Sequence, residues 1–159
     1  LQGGTSYPGS TTAQVNTVAL RDATNTIAAT TFSGRATEAN YADLAEIYKT
    51  DKEYPVGTIV SIGGDAEARA VETGEPILGV ISDNPGFLMN KDAEGQAVAF
   101  VGRVPLLVKG AITKGERVYA NGGGFGTTDA NGEQIGFALE SNSEESTKLV
   151  EVVLRLVNN

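Results

Sequence analysis

The chemistry open to this chain is narrowed first by what it lacks, since its 159 residues include no His and no Cys. That removes Ser-His-Asp and Cys-His nucleophile systems and zinc sites of the usual Cys/His kind. Carboxylate pairs, Lys or Tyr chemistry and oxygen-ligand metal sites remain, as does the absence of catalysis. Ser82-Asp83 is the one Ser-Asp step in the chain, and Ser82-Asp-Asn-Pro85 also reads as an ordinary turn start. Asn90-Lys-Asp-Ala-Glu-Gly95 has the opening of a calcium loop, with oxygen ligands at alternate positions and Gly at the sixth. Its twelfth position is Val101, where a bidentate Glu is needed, so a solvated turn is the better reading. Asp129-Ala-Asn-Gly132 reads the same way. No catalytic residue, metal ligand or cofactor is assigned.

The remaining candidates are contact residues. Arg103, in Gly102-Arg-Val-Pro105, stands between two strongly apolar runs. It could pair with an acid across a subunit interface, but an outward edge charge is the preferred reading. Tyr41, Tyr48 and Tyr54 lie close together in the chain. They could stack on sugars, but packing of the head on the arm or on a neighbouring chain is favoured. Phe87, Leu88 and Met89 sit in a long loop from Ser82 to Gly95. They read equally well as a receptor-contacting tip or as a plug tucked under the fold.

The elements that must hold these residues divide at the stretch Tyr41-Ala-Asp-Leu-Ala-Glu-Ile-Tyr48. Residues 1–14 read as a linker of small and polar residues. Residues 15–20 and 26–32 alternate as two short strands around the turn chemistry of Arg21-Asp-Ala-Thr-Asn25. A lone hairpin with so little apolar surface is marginal in water and needs partners, most simply copies of itself. Residues 15–40 are therefore expected to form a fibre-like arm, and residues 41–53 a joint. Within the joint, Tyr41, Leu44, Ala45 and Tyr48 fall at helical spacing, which predicts one short helix over 41–48 with an extended strand as the alternative.

From residue 54 to 159 a β-rich head is expected. Strands are read at 58–62, 66–71, 77–81, 97–101, 104–108, 117–120, 135–139 and 147–157, separated by Gly-bounded turns. Pro105 suggests an edge or a bulge, since it has no N–H for the ladder. In the last strand Val150, Val152, Leu154 and Leu156 share one wholly apolar face, while Leu149, Glu151, Val153, Arg155 and Val157 share a mixed one. The class is all-β, an extended arm followed by a barrel or sandwich.

The formal charge is −8 with Lys and Arg scattered, which argues against a nucleic-acid partner. No apolar run approaches the ~20 residues that span a bilayer, so no membrane insertion is expected. The chain opens on Leu1 rather than Met, which suggests a processed product or the end of a longer polypeptide. Its first ten residues do not read as a signal peptide.

Residues 18–39 resemble the repeating shaft segments of phage tail-fibre proteins. The likeness rests on Arg21-Asp22, the turn at Thr24-Asn25, the strand from Ile27 to Phe32, and Gly34-Arg-Ala-Thr37. The usual turn glycine is replaced by Thr24-Asn25. The remainder of the chain is similar to the head of the same proteins, through Tyr41-Ala-Asp-Leu-Ala-Glu46, Tyr54-Pro-Val-Gly-Thr-Ile-Val60, Leu78-Gly-Val-Ile-Ser82, Leu88-Met-Asn90, Val101-Gly-Arg-Val-Pro105 and Gly136-Phe-Ala-Leu-Glu140. It also resembles the autoproteolytic intramolecular-chaperone domain of phage tail appendages.

The resemblance implies a non-enzymatic virion structural protein, the C-terminal part of a homotrimeric tail fibre or appendage. It would support trimer registration and contact other virion proteins and a host surface glycan or protein. Loops 82–96 and 121–134 would make the host contact. Self-processing is the alternative; appendage chaperones of another type cut at a serine, which draws attention to Ser82. A capsid decoration protein and a polysaccharide depolymerase are further readings, opposed by the fibre-like arm and by the lack of a defined acid pair.

Overall fold

A computed structural model of the protein describes residues 9–10, 18–19, 23–24, 27, 38 and 41–155. The chain divides into two units, Leu1–Thr37 and Glu38–Asn159. In the first, strands β1 (Gly9–Ser10) and β2 (Val18–Ala19) pair in parallel, Gly9 opposite Val18 and Ser10 opposite Ala19. The stretch read as linker thus holds a short strand. Most of the expected strand at 26–32 lies outside the described residues, and Ile27 is exposed and in no strand.

The second unit is all-β, as the alternating and Gly-punctuated sequence predicts. Its strands are β3 (Asp43–Tyr48), β4 (Ile59–Ile62), β5 (Ala68–Ala70), β6 (Ile77–Ile81), β7 (Phe87–Met89), β8 (Gln96–Val108), β9 (Arg117–Ala120), β10 (Gly126–Thr127), β11 (Glu133–Ala138) and β12 (Lys148–Leu154). The helix expected over 41–48 is instead strand β3. It pairs antiparallel with β8 and parallel with β7, so its backbone groups are satisfied across two ladders rather than within a helix. The loop expected from Ser82 to Gly95 contains β7.

The two strands expected at 97–101 and 104–108 are one long strand, β8, bent at Gly102 with φ +114°. Its first half pairs with β3 and β6, and its second half pairs with β12 from Gly102 to Val108. From there the order β8-β12-β11-β9-β10 returns to β8 through Gly126 opposite Val108, closing a small ring of strands. Beyond β8 on the other flank, β6, β4 and β5 continue the sheet. Pro105 lies opposite Glu151 of β12, and among the described residues no strand pairs with β8 at this position on its other flank, so the expected edge is a local one. Two residues on, the Leu107 N–H turns away from β12 to Gly57 O, so the proline ring occupies a flank where β12 needs no donor.

The core follows the period of the strands. On β12, Val150, Val152 and Leu154 are buried while Leu149 is exposed and Glu151 and Val153 half-buried. They pack with Leu106, Val108, Val118, Ile135 and Val104 in one cluster. A second cluster joins Tyr54, Val60, Ala68, Ile81 and Val98, with Tyr48 and Phe100 against it. Burial of these side chains contributes roughly 1.5–3 kcal/mol each before entropy is subtracted. Among the described residues no helix is long and apolar enough to cross a membrane.

Candidate functional site

An aspartate inside a protein needs donors, and Asp43, only 6% exposed at the start of β3, has two. The Ser82 hydroxyl donates to its Oδ2 at 2.7 Å, and the Gly86 N–H donates to its Oδ1 at 3.1 Å. Ser82 is itself buried at the end of β6, where its N–H is held by Ala97 O. Both partners come from the turn that links β6 to β7, so the turn chemistry read in Ser82-Asp-Asn-Pro85 supplies the acid's environment.

Two glycines bring this turn and β8 against the chain as it enters β3. A Cβ on Gly86 would stand 2.4 Å from Tyr41 O, and one on Gly102 would stand 2.0 Å from Ala42 O. The peptide groups of residues 41–43 are thus gripped from both sides by backbone. Beside them opens a cleft of about 440 Å³ lined by Tyr41, Asp43, Ser82, Arg103, Pro105 and Glu151 among others. It holds a buried carboxylate and hydroxyl in contact, a guanidinium, and the backbone of the entering strand. That arrangement can move a proton next to a peptide group and stabilise negative charge there.

Of the residues singled out from sequence, Tyr41 and Arg103 meet in this cleft, both exposed. Arg103 has no carboxylate partner within 4.0 Å among the described residues. The others lie elsewhere. Tyr54 is buried; its hydroxyl donates to Asp51 Oδ1 at 2.7 Å and accepts from the Ala70 N–H at 2.9 Å. Burial above all, with the Asp51 bond, pushes its phenol above the ordinary value. Tyr48 stands edge-on to Phe100 with ring centres 5.9 Å apart, and its phenol is likewise raised, first by burial and then by its bond to Glu46. Phe87, Leu88 and Met89 form β7, where Phe87 is 64% exposed, Leu88 packs on the main core and Met89 is half-buried.

Sequence reasoning missed Asp43. The segment Tyr41-Ala-Asp-Leu-Ala-Glu46 stands out in sequence as the joint, for its helical spacing and for its resemblance, but its aspartate carries no local signal, since both donors lie far along the chain. Among the described residues no group of three acids, His or Cys could hold a metal ion.

The cleft falls partly within a region that matches a known family. The family model Peptidase_G2, IMC autoproteolytic cleavage domain, matches residues 4–95, more than half of the chain. The crystal structure of the pre-mature bacteriophage phi29 gene product 12 matches with TM-score 0.59 and 15% identity, over 77% of this chain and 23% of that one. The bacteriophage phi29 gene product 12 C-terminal fragment matches with TM-score 0.55 and 15% identity, over 71% of this chain and 100% of the fragment. This chain therefore spans less than a quarter of the pre-mature protein, and at such identity the likeness is one of fold. No curated protein matches the sequence. Residues 4–95 include Asp43, Ser82 and Gly86, whereas Arg103 and Glu151 lie beyond them.

Proposed function

The chain belongs to the Peptidase_G2 family of IMC autoproteolytic cleavage domains, and from that premise we propose that it is the self-processing chaperone end of a homotrimeric phage tail appendage. The observation that carries this is the Asp43 cleft, which sets a buried acid and a hydroxyl beside the peptide groups that lead into the head. The bond cut lies within residues 38–43. Asp43 is the base: its Oδ2 takes the proton as the Ser82 oxygen, or a water in its place, attacks the carbonyl carbon, and the proton then goes to the departing amine. If Ser82 attacks, the acyl ester left on it is hydrolysed by water. Arg103 faces the negative charge that develops on the carbonyl oxygen.

In this reading the domain acts in the virion's assembly, aligning three chains so that their arms register before cutting. The row formed by Phe87, Leu44 and Val101 across β7, β3 and β8 supports self-association. Phe87 is 64% and Val101 51% exposed, an apolar strip of the kind that copies of a chain cover in one another. Host contact through loops 82–96 and 121–134 belongs to the same proposal.

The test is an intact-mass time course on the purified full chain with its mass in solution measured by ultracentrifugation. Two fragments that divide within residues 38–43, from a species of three chains, are the expected result. A single uncut chain that remains trimeric favours a purely structural appendage end; an uncut monomer defeats both readings.

A further inference from the structure

A second cleft, of about 570 Å³, opens on the outward face of β9, β11 and the end of β12 and shares no residue with the Asp43 cleft. A bulge in β11 makes it. The register against β9 shifts between Gln134 and Gly136, and Ile135 turns wholly into the core. The outward positions Gln134 and Phe137 are thereby spread three residues apart instead of two, leaving a gap in the outer face. Tyr119 lies opposite Gln134, and Arg117 opposite Phe137. Arg155 follows β12, its N–H held by Ile135 O.

The walls are therefore two half-buried aromatic rings, Tyr119 and Phe137, and two exposed guanidinium groups, Arg117 and Arg155. Neither arginine has a carboxylate within 4.0 Å among the described residues, although the chain carries 20 acids against 12 Lys and Arg. One acid, Glu133, lines the same cleft, and its Oε2 accepts the Ile77 N–H at 3.3 Å.

We propose that this cleft binds an acidic sugar, a pyranose unit bearing a carboxylate or a phosphate. The guanidinium forks match the planar or tetrahedral oxyanion, and the rings offer faces to the sugar's C–H surface. Glu133 and Gln134 take hydroxyl groups. A bare anion is opposed by Glu133, and a neutral sugar leaves both arginines without a counter-charge, so the mixed site fits a ligand with both features. The volume lies within the range of about 300–1,000 Å³ typical of small-ligand sites. Every residue of the cleft lies outside residues 4–95, so the inference is independent of the cleavage reading.

The experiment is a two-dimensional NMR titration of the full chain with glucuronic acid, glucose 6-phosphate, glucose and inorganic phosphate, each to about 10 mM. At least one acidic sugar is expected to give saturable shifts centred on Arg117, Tyr119 and Phe137, at least about tenfold tighter than glucose or phosphate. The tighter of the two acidic sugars identifies the anion. Arg117→Gln and Arg155→Gln, each with an unchanged thermal midpoint, are expected to weaken it about tenfold or more. If one substitution disturbs the fold, the other decides. Equal binding of inorganic phosphate means an adventitious ion only. That outcome, equal binding of glucose, no saturable shift, or undiminished affinity in the folded variants would each overturn the proposal.

Discussion

The Ser82 hydroxyl donates to Asp43 Oδ2 across 39 residues of sequence, tying the end of β6 to the start of β3. Both groups are buried, so the bond has a structural consequence whatever else it does. Removing the donor takes away the hydroxyl bond to a largely buried carboxylate oxygen, whereas removing the charge keeps most of the shape.

Substitutions at this pair separate stability from processing. Asp43→Asn is expected to retain the fold and abolish cleavage, because an amide cannot take the proton. Ser82→Ala is expected to lower stability by about 1–3 kcal/mol through the unpaired oxygen. If Ser82 is the attacking group cleavage stops; if water attacks, cleavage continues more slowly. Urea unfolding and gel time courses of both variants decide among these outcomes.

Gly102 offers a test of positioning. Its φ of +114° lets β8 bend, and a Cβ there would stand 2.0 Å from Ala42 O and 2.7 Å from the Asp43 Cα. Gly102→Ala is expected to cost roughly 1–3 kcal/mol in backbone strain alone. It should also slow cleavage, since the entering strand must shift to relieve the contact. An unchanged melting temperature together with an unchanged cleavage rate would show that Gly102 does not hold Ala42 and Asp43 in place.

The alkaline limb of stability reports on Tyr54. Its phenol is raised above the ordinary value of about 10 when folded, first by burial and then by the bond to Asp51, with the Ala70 N–H opposing. Between the ordinary and the raised value the unfolded chain has lost this proton while the folded chain keeps it. The contribution is thus fully present below pH 10 and is lost as pH rises through the folded value. Tyr54→Phe is expected to flatten this loss, although Tyr48, also raised, leaves part of it. Thermal midpoints from pH 8 to about 11.5 measure the difference between wild type and variant.

What could be read from sequence was the half-buried face. On β12 the alternation of Val150, Val152 and Leu154 with charged or exposed neighbours can be satisfied only by a strand with one side in the core. The segment 41–48 resisted because its apolar residues fit both periods; its state is decided by β7 and β8, whose pairing partners lie far along the chain. Gly102-Arg103 looked like a break because glycine marks turns, yet here a positive φ bends a continuous ladder. Asp43 escaped notice for a related reason: its donors are 39 and 43 residues away, and nothing local marks it as buried.

The apolar strip on the outer face gives the last prediction. Leu44 lies directly opposite Phe87 on β7 and Val101 on β8, so the three side chains stand on one face as a cross-strand row. Phe87 and Val101 are mostly exposed in the single chain, and neither belongs to a core cluster. Phe87→Ser with Val101→Ser should therefore change monomer stability by no more than about 0.5–1 kcal/mol. If copies cover this strip in one another, the same pair of changes removes several kcal/mol of interface burial, at roughly 25 cal/mol per Å². Sedimentation over a concentration series is then expected to show the double variant dissociating where the parent chain remains associated. A variant that associates as tightly as the parent would place the interface between copies on another face of the head.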